Sequence, residues 1–255
     1  MKFATWTAAA FVVTAALSAT STAQAADLKL WRLDCGTIKV NNLDLFSDTF
    51  AYVGQKRTLT DSCYLIAHGA DYLLWDTGLP VGLKGAPLAE DAPMSPTLTH
   101  TLAEQLETIG VKPEQIAIVG ISHYHFDHTG QAAEFPKAKL LMGRADLEAM
   151  KQTPPPFGAD PKLLAPWLTG GASVEPVSGD KDIYGDGSVT MLSMPGHTPG
   201  SYALLVQLKG KGPCCSAATS CISRSSSRRT AYRGSTPTAR NPWPRWTGCR
   251  RSRRS

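Results

Sequence analysis

Cysteine and histidine, which hold most structural zinc ions in proteins, are scarce in this chain, with six of each among 255 residues. Only Cys35 and Cys63 precede Pro213, and they stand apart rather than in the close pairs that zinc fingers require. The sequence therefore excludes a cysteine-rich structural metal domain. In an exported protein these two cysteines can form a disulfide bond, but two ordinary core thiols fit the sequence equally well.

Long apolar runs are also missing. The one extended run, Ala8–Leu17, follows the positive charge of Lys2 and is too short to span a bilayer. A small-x-small cleavage site, Ala23-Gln24-Ala25, comes next. Residues 1–25 are therefore predicted to be a secretory signal peptide, with a membrane anchor as the alternative. We expect a mature protein without membrane attachment, located in the periplasm or secreted.

Acidic residues are absent from the end of the chain. Residues 214–255 contain no Asp or Glu but ten Arg, nine Ser and four Cys, whereas residues 1–213 carry 16 basic and 21 acidic residues. The formal net charge of +5 therefore hides an acidic body and a basic tail. We predict a folded domain over residues 26–213 and an aberrant, disordered tail over 214–255. An arginine-rich arm for nucleic acid or anionic lipid is the alternative reading of the tail.

Half of the histidines lie in one short stretch, His-Tyr-His-Phe-Asp-His at residues 123–128. It follows the apolar, β-branched run 116–121, which predicts a buried strand with the histidines in the loop that leaves it. The first two histidines are two residues apart and can point the same way, whereas Asp127 and His128 turn to a second point. Nitrogen and oxygen ligands at two adjacent points are typical of a site for two zinc ions. A histidine-rich surface loop is the alternative, which the rarity of histidine elsewhere disfavours.

The pattern H-x-H-x-D-H resembles the signature of the metallo-β-lactamase superfamily. Two further segments resemble that family in the expected order: Leu73–Gly78 its Asp-Thr-Gly turn, and Met194–Ser201 its Pro-Gly-His-Thr-Pro-Gly turn. The resemblance runs from about Leu28 to about Lys211. Within the superfamily, the stretches 33–36 and 60–66 are most similar to the N-acyl homoserine lactonase-like branch.

This resemblance implies an α+β fold, the four-layer αββα sandwich, with the site at one edge between the two sheets. It also implies that His123, His125 and His197 hold one metal ion and that Asp127 and His128 hold a second. Asp127 would in addition act in catalysis by orienting water or moving a proton. Zinc is the expected metal, although manganese, iron and cobalt also accept such ligands.

A single missing nucleotide near Pro213 would account for the tail. Read one base earlier, Cys214–Ser220 is compatible with Val-Leu-Leu-Ser-Gly-Asp-Leu, which resembles the family segment that supplies a metal-bridging aspartate. In the same frame, Ser235–Cys249 is compatible with a capped amphipathic helix. We therefore predict a frameshifted tail and an incomplete C-terminal part of the fold. As written, the chain lacks the bridging aspartate and the final histidine of the family, because its remaining histidines are His68 and His100.

Periodicity and turn residues predict the other elements. A helix is expected over Thr99–Ile109 with Thr99 as its N-cap, and the proline-rich stretch Pro154–Thr169 is expected to be a loop flanking the site. Asp76 directly follows a predicted strand, and it is either a partner of a ligand histidine or a turn residue that caps the local backbone. Strands are predicted at 28–33, 62–67, 71–75, 139–142, 189–194 and 202–208, and further helices at 130–135 and 144–151.

These features together predict a metal-dependent hydrolase that uses a metal-bound hydroxide on a small-molecule substrate. The branch resemblance implies that it opens lactones such as N-acyl homoserine lactones, and it implies no nucleic-acid partner. Two alternatives remain open. One is another hydrolase of the same fold, a β-lactamase or a thioesterase. The other is an inactive remnant that lacks the bridging aspartate and the last histidine.

Overall fold

The computed structural model of the protein describes residues 27–208 and 212–217. The predicted signal peptide, the predicted helix at 235–249 and most of the tail lie outside these ranges. The strands are β1 (Leu28–Val40), β2 (Arg57–His68), β3 (Asp71–Trp75), β4 (Met94–Thr97), β5 (Ile116–Ile121), β6 (Lys139–Gly143), β7 (Val174–Val177), β8 (Lys181–Asp182), β9 (Val189–Ser193), β10 (Tyr202–Leu208) and β11 (Gly212–Ala217). The α-helices are α1 (Leu102–Ile109), α2 (Phe126–Thr129), α3 (Arg144–Met150) and α4 (Ala165–Leu168). Short 3-10 helices occupy Leu43–Phe46, Val81–Leu83, Pro113–Gln115, Ala132–Glu134 and Pro161–Leu164.

The strands form two sheets. The larger has seven strands in the order β4-β1-β2-β3-β5-β6-β7, and the smaller has four in the order β11-β10-β9-β8. Strands β3, β5, β6 and β7 run parallel, whereas the other pairs are antiparallel. The parallel strands β5 and β6 carry nearly continuous apolar runs, as expected for strands that are covered on both faces.

Alternating side chains of the seven-stranded sheet enter two different cores. Leu74 packs with Leu106 of α1 in a core beneath the helices, whereas Leu73 and Trp75 pack with Met191 of β9 between the two sheets. This alternation follows from the two-residue repeat of a strand. The helices, the large sheet and the small sheet are thus three successive layers of the four predicted, and the α+β fold class is confirmed in the described part of the chain.

Helix α1 begins two residues later than predicted, with Thr101 rather than Thr99 as its N-cap. The Thr101 side chain accepts from the Glu104 amide at 3.3 Å, and the Glu104 carboxylate accepts from the Thr101 amide at 2.9 Å. This reciprocal capping box satisfies two amides at the helix start. Thr99 cannot form one, because the residue three positions later is not acidic. At the other end, Gly110 ends the helix with a φ of 80°.

A disulfide bond joins Cys35 to Cys63, which resolves the two alternatives that the sequence left open. The two cysteines lie on the paired strands β1 and β2, where the register shifts between Asp34 and Gly36. Their Cα atoms are 5.7 Å apart. The disulfide bond therefore links the paired strands β1 and β2 covalently. It lies beside the loop that follows β3, because the Cys35 carbonyl accepts from the Leu79 amide at 3.0 Å.

Strand β11 crosses Pro213, where the composition of the chain changes. Its residues pair with β10 from Leu208↔Gly212 to Ala203↔Ala217, so the small sheet extends four residues beyond that boundary. Among the helices that the structure describes, none has the length and apolar character needed to cross a bilayer.

Candidate metal centre

The candidate site lies where the parallel strands β3 and β5 end. The segment Asp76–Gly78 leaves β3, and the histidine-rich segment 123–128 leaves β5, so both reach the same edge of the large sheet. The turn between β9 and β10 of the small sheet brings His197 to the same edge. Three chain segments from two sheets therefore meet at one point.

Three histidines converge there. His123 Nε2 and His197 Nε2 each lie 3.0 Å from His125 Nδ1, and the ligand atoms of all three residues lie within 4.8 Å of one another. Zinc–nitrogen bonds of about 2.0–2.1 Å in a tetrahedron place ligand nitrogens about 3.4 Å apart. The three nitrogens, here called the first half-site, are thus spaced for one such ion, and they are the residues that the sequence predicts for it.

The first half-site holds its imidazoles in the neutral form. Burial lowers the pKa of His123 far below its ordinary value, and the neighbouring imidazoles lower it further. Burial and the adjacent His197 lower the pKa of His125 to about 4, and burial also lowers the pKa of His197. A neutral imidazole keeps the lone pair that a metal ion needs, so the electrostatics of the half-site fit metal binding.

Asp127 and His128, here called the second half-site, lie on the single turn of α2 rather than in an extended loop. His128 Nε2 lies 3.5 Å from Asp127 Oδ2, so the two predicted ligands of the second ion face each other. On the other side of the ring, His128 Nδ1 lies 3.0 Å from Asp76 Oδ2. This contact fixes the ring so that Nε2 is presented towards Asp127.

Asp76 has the geometry of a partner for a ligand histidine, the first of its two sequence-based readings. It is 2% exposed, and its other oxygen, Oδ1, accepts from the Ser122 amide at 2.7 Å. Its φ of 59° lies in the left-handed region, which aspartate tolerates better than most residues. Both carboxylate oxygens are therefore committed, one to His128 and one to the backbone that leads into the histidine segment.

Negative charge is concentrated around His128. Burial alone would lower the pKa of His128, but the carboxylates of Asp127, Asp76 and Asp61 outweigh it and raise that pKa to about 10. Three carboxylates around one imidazole form an environment that favours a cation. The second half-site thus fits a divalent metal ion by charge as well as by ligand type.

Ser122 lies between the half-sites, and the sequence did not single it out. Its hydroxyl lies 3.1 Å from His123 Nδ1 and 3.4 Å from His128 Nδ1, and the residue has no exposed surface. It therefore contacts one ligand of each half-site on the side away from the ligand nitrogens. Its position next to the histidine segment was the available signal, but a serine after a strand is most often an ordinary turn residue.

Asp146 connects the two loops that supply the first half-site, and sequence reasoning missed it as well. Its Oδ2 accepts from the Tyr124 amide at 3.1 Å and the Thr198 hydroxyl at 2.7 Å, and its Oδ1 accepts from the Gly200 amide at 2.6 Å. The residue is fully buried in the first turn of α3. Acidic residues are common in a first helical turn for local reasons, so no sequence signal distinguished this long-range role.

The proline-rich segment packs against the first half-site. The Gly158 carbonyl accepts from the Phe126 amide at 2.8 Å, and a Cβ at Gly158 would lie 2.5 Å from the ring of His125. The neighbouring Phe157 is 90% exposed. In contrast, Trp167 is buried in the helix-side core and donates to the Ala138 carbonyl at 2.9 Å. The segment predicted to be a loop is thus partly helical, and one aromatic side chain remains free beside the site.

Comparison with known proteins identifies relatives of this arrangement. The sequence model of the metallo-beta-lactamase superfamily matches residues 58–212. The N-acyl homoserine lactonase AttM of Rhizobium radiobacter is 27% identical over 199 residues, which covers 73% of this chain and 74% of that protein. An N-acyl homoserine lactonase of a Bacillus species is 28% identical over 159 residues, covering 59% of this chain and 60% of its own.

Solved structures share the fold. An N-acyl homoserine lactone hydrolase, solved with the product N-hexanoyl-L-homoserine at its catalytic metal centre, matches with a TM-score of 0.62 at 20% identity over 75% of both chains. AidC, a dizinc quorum-quenching lactonase, matches with a TM-score of 0.53 at 18% identity over 75% of this chain and 71% of its own. At such identities the likeness concerns the fold alone, and it confirms the predicted fold class.

Proposed function

The chain belongs to the metallo-β-lactamase superfamily, and from this premise we propose that it is a zinc-dependent hydrolase that opens lactones, N-acyl homoserine lactones in particular. The observation that carries the proposal is the convergence of His123, His125 and His197 on one point beside Asp127 and His128. The named relatives, which are N-acyl homoserine lactonases, support the lactone as the substrate class.

Two ions are proposed to occupy the centre, one in each half-site. When bound, zinc supplies Lewis acidity towards a carbonyl oxygen and lowers the pKa of water to about 7. The three imidazoles of the first half-site hold their ion without adding charge, because their low pKa values keep them neutral. Asp127 and His128 hold the other ion, and Asp76 keeps the His128 ring in position.

Asp127 is proposed to move the proton. Its side chain is 25% exposed while that of His128 is 9% exposed, so Asp127 is the ligand of the second half-site that reaches solvent. A carboxylate at the mouth of the site can accept a proton from the attacking water and return it to the alcohol oxygen that leaves the opened ring. His197 of the first half-site is also exposed to solvent.

Phe157 is proposed to contact the acyl chain of the substrate. Its side chain is almost fully exposed, and the next residue in the chain, Gly158, is packed against His125, so Phe157 belongs to the segment that flanks the metal centre. An exposed aromatic ring beside a polar site offers apolar area to the tail of a small amphiphilic substrate. The core position of Trp167 leaves Phe157 as the aromatic candidate in this segment.

Export is proposed as well, on sequence grounds. The positive Lys2, the short apolar run and the Ala23-Gln24-Ala25 site support a signal peptide and a periplasmic or secreted mature protein. The Cys35–Cys63 disulfide agrees with an oxidising compartment. Fusing residues 1–30 to a reporter enzyme that is active only outside the cytoplasm tests this directly, and a reporter that stays inactive contradicts it.

The test of the catalytic proposal is a paired metal and activity assay on the chain without its first 25 residues. Zinc content is measured by mass spectrometry, and hydrolysis is followed for an acyl homoserine lactone, a β-lactam and a thioester. We expect bound zinc and opening of the lactone ring; in His123→Ala the ion of the first half-site and the lactone hydrolysis should be lost. Zinc-dependent cleavage of the β-lactam or the thioester without lactone hydrolysis would overturn the substrate assignment.

The same assay on a chain whose reading frame is restored after Pro213 tests the frameshift prediction. We expect the restored chain to gain solubility and metal affinity, because the resemblance implies a bridging aspartate in the restored segment. Equal solubility, zinc content and activity in the two chains would contradict the prediction. A soluble original chain without zinc or activity beside an active restored chain would identify the original as an inactive remnant.

A further inference from the structure

Asp61 lies on β2 at the same sheet edge as the metal centre. In the register of β2 with β3, Tyr64 is opposite Trp75, the last residue of β3. Asp61 comes three residues before Tyr64. Because the two strands are antiparallel, Asp61 therefore lies beyond the end of β3, level with the segment that begins at Asp76. The topology therefore places this carboxylate beside the segments that carry the second half-site.

The alternation of β2 gives the face on which Asp61 lies. Leu59, Asp61 and Cys63 are two residues apart and share one face of the strand. Leu59 packs in the cluster that includes Phe126, and Cys63 packs in the core that includes Tyr124. Asp61 thus lies between two residues whose clusters each also include an aromatic side chain of the histidine segment.

One oxygen of Asp61 is buried and unpaired. Oδ2 is inaccessible to solvent and has no hydrogen-bond partner among the described residues. Burial raises the pKa of Asp61 well above its ordinary value, and the charges of His128, Asp127 and Asp76 also act on it. A buried carboxylate without a partner is costly, so a native protein that keeps one needs a reason to do so.

Carboxylates near the second half-site are few. No acidic residue follows Asp186 in the sequence as written, so the tail as written supplies no bridging aspartate. Asp76 already uses both oxygens, one for the Ser122 amide and one for His128. Asp61 is the remaining carboxylate among those whose charges act on His128.

We propose that Asp61 is a further ligand of the divalent cation held by Asp127 and His128. Two carboxylates and one imidazole form a ligand set that zinc, manganese and iron accept. The cation would supply the partner that Oδ2 lacks. This inference rests on the proposed function, because it assumes a second ion in the centre.

The experiment is a zinc titration of the 255-residue chain without its predicted signal peptide, with a chromophoric chelator as competitor. Asp61→Asn keeps the size of the side chain and removes its charge. Asp71→Asn is the matched control, since Asp71 is an exposed aspartate at the opposite end of the same strand pair. We expect two zinc ions in the parent and the control. In Asp61→Asn the first ion should bind normally and the second about 10- to 100-fold more weakly, or not at all.

Thermal unfolding without metal separates ligation from a structural role. Asparagine removes a buried carboxyl group whose charged form is disfavoured by burial, so the metal-free Asp61→Asn variant should unfold at the same or a higher temperature than the parent. Zinc should then raise its unfolding temperature less than it raises that of the parent. A variant that unfolds earlier and loses both ions equally would overturn the proposal.

The remaining outcomes separate this inference from the proposed function. If Asp61→Asn binds two ions as tightly as the parent, Asp61 is no ligand and the hydrolase proposal stands. If the parent binds a single ion, the inference is overturned while a one-metal hydrolase remains. If the parent binds no zinc, both proposals are overturned.

Discussion

The two half-sites differ in how the chain builds them. The first half-site combines His123 and His125 from the large sheet with His197 from the small sheet, so it exists only when the two sheets are packed together. The second half-site is local, because Asp127 and His128 are neighbours on one turn of α2. The first therefore depends on long-range packing, and the second depends on the charges gathered around one turn.

Their electrostatics differ as well. Neutral imidazoles form the first half-site, whereas carboxylates surround His128 in the second and raise its pKa to about 10. A cation entering the first half-site meets lone pairs, and a cation entering the second meets negative charge that lacks full compensation. The difference indicates that packing mutations should act mainly on the first ion and charge mutations mainly on the second.

The largest effect is expected from His123→Ala. His123 supplies Nε2 to the first half-site and is 2% exposed, so its loss removes a ligand and opens a buried cavity. We expect kcat/KM to fall by more than about 100-fold, beyond the range for residues that only support a ligand. Steady-state kinetics together with zinc content measure this. Activity within tenfold of the parent would contradict the assignment of the first half-site.

Asp76→Asn should separate the half-sites. Asparagine also tolerates the φ of 59°, and its carbonyl oxygen can still accept from the Ser122 amide. Its amide group, however, cannot accept from His128 Nδ1. We expect the affinity for the second ion to fall about 10- to 100-fold while the first is retained. Equal loss of both ions in a chelator competition would show that the half-sites are not independent.

Asp146→Asn should act in the opposite sense. The neutral side chain cannot accept from the Tyr124 amide, the Thr198 hydroxyl and the Gly200 amide together, so the link between the two histidine loops weakens. Losing a hydrogen bond to a charged group costs about 1.5–3 kcal/mol. We expect unfolding at lower denaturant concentration and about tenfold weaker binding of the first ion. A variant that unfolds like the parent and weakens only the second ion would contradict this account.

The smallest effect is expected from Phe157→Ala. The ring is 90% exposed, so its removal should leave both the stability and the zinc content unchanged. For lactones with long acyl chains we expect KM to rise about threefold to tenfold, in proportion to the apolar area lost, with little change for short chains. Kinetics across a series of chain lengths measure this. A uniform change in kcat at all lengths would place Phe157 in the support of the metal centre instead.

The sequence predicted the elements whose signals are local. The apolar run 116–121 and the histidines after it correspond to β5 and to the loop and turn that carry the candidate site. The predicted N-cap of α1, Thr99, was wrong. Thr99 and Thr101 both precede the apolar repeat of the helix, and only Thr101 has an acidic partner three residues later, Glu104.

The supporting residues could not be predicted in this way. Asp146 and Asp61 neighbour the site through the packing of distant segments, and Ser122, although next to the histidine segment, lies in no motif that local spacing reveals. Asp76 remained undecided for the same reason, since its bond to His128 joins residues far apart in the chain. The candidate metal ligands can thus be predicted from the sequence, whereas the residues that orient them depend on tertiary structure.

The contact between Gly158 and His125 bears on how such an enzyme can diversify. Gly158 has a φ of 80° and no room for a side chain, so that position tolerates little variation. Its neighbour Phe157 contributes side chain to solvent and almost nothing to the core. One fixed residue thus anchors the segment to the metal centre while the adjacent one is free to mutate. With Phe157 in its proposed role, substitutions at that position would change substrate preference over generations while the contact between Gly158 and His125 is kept.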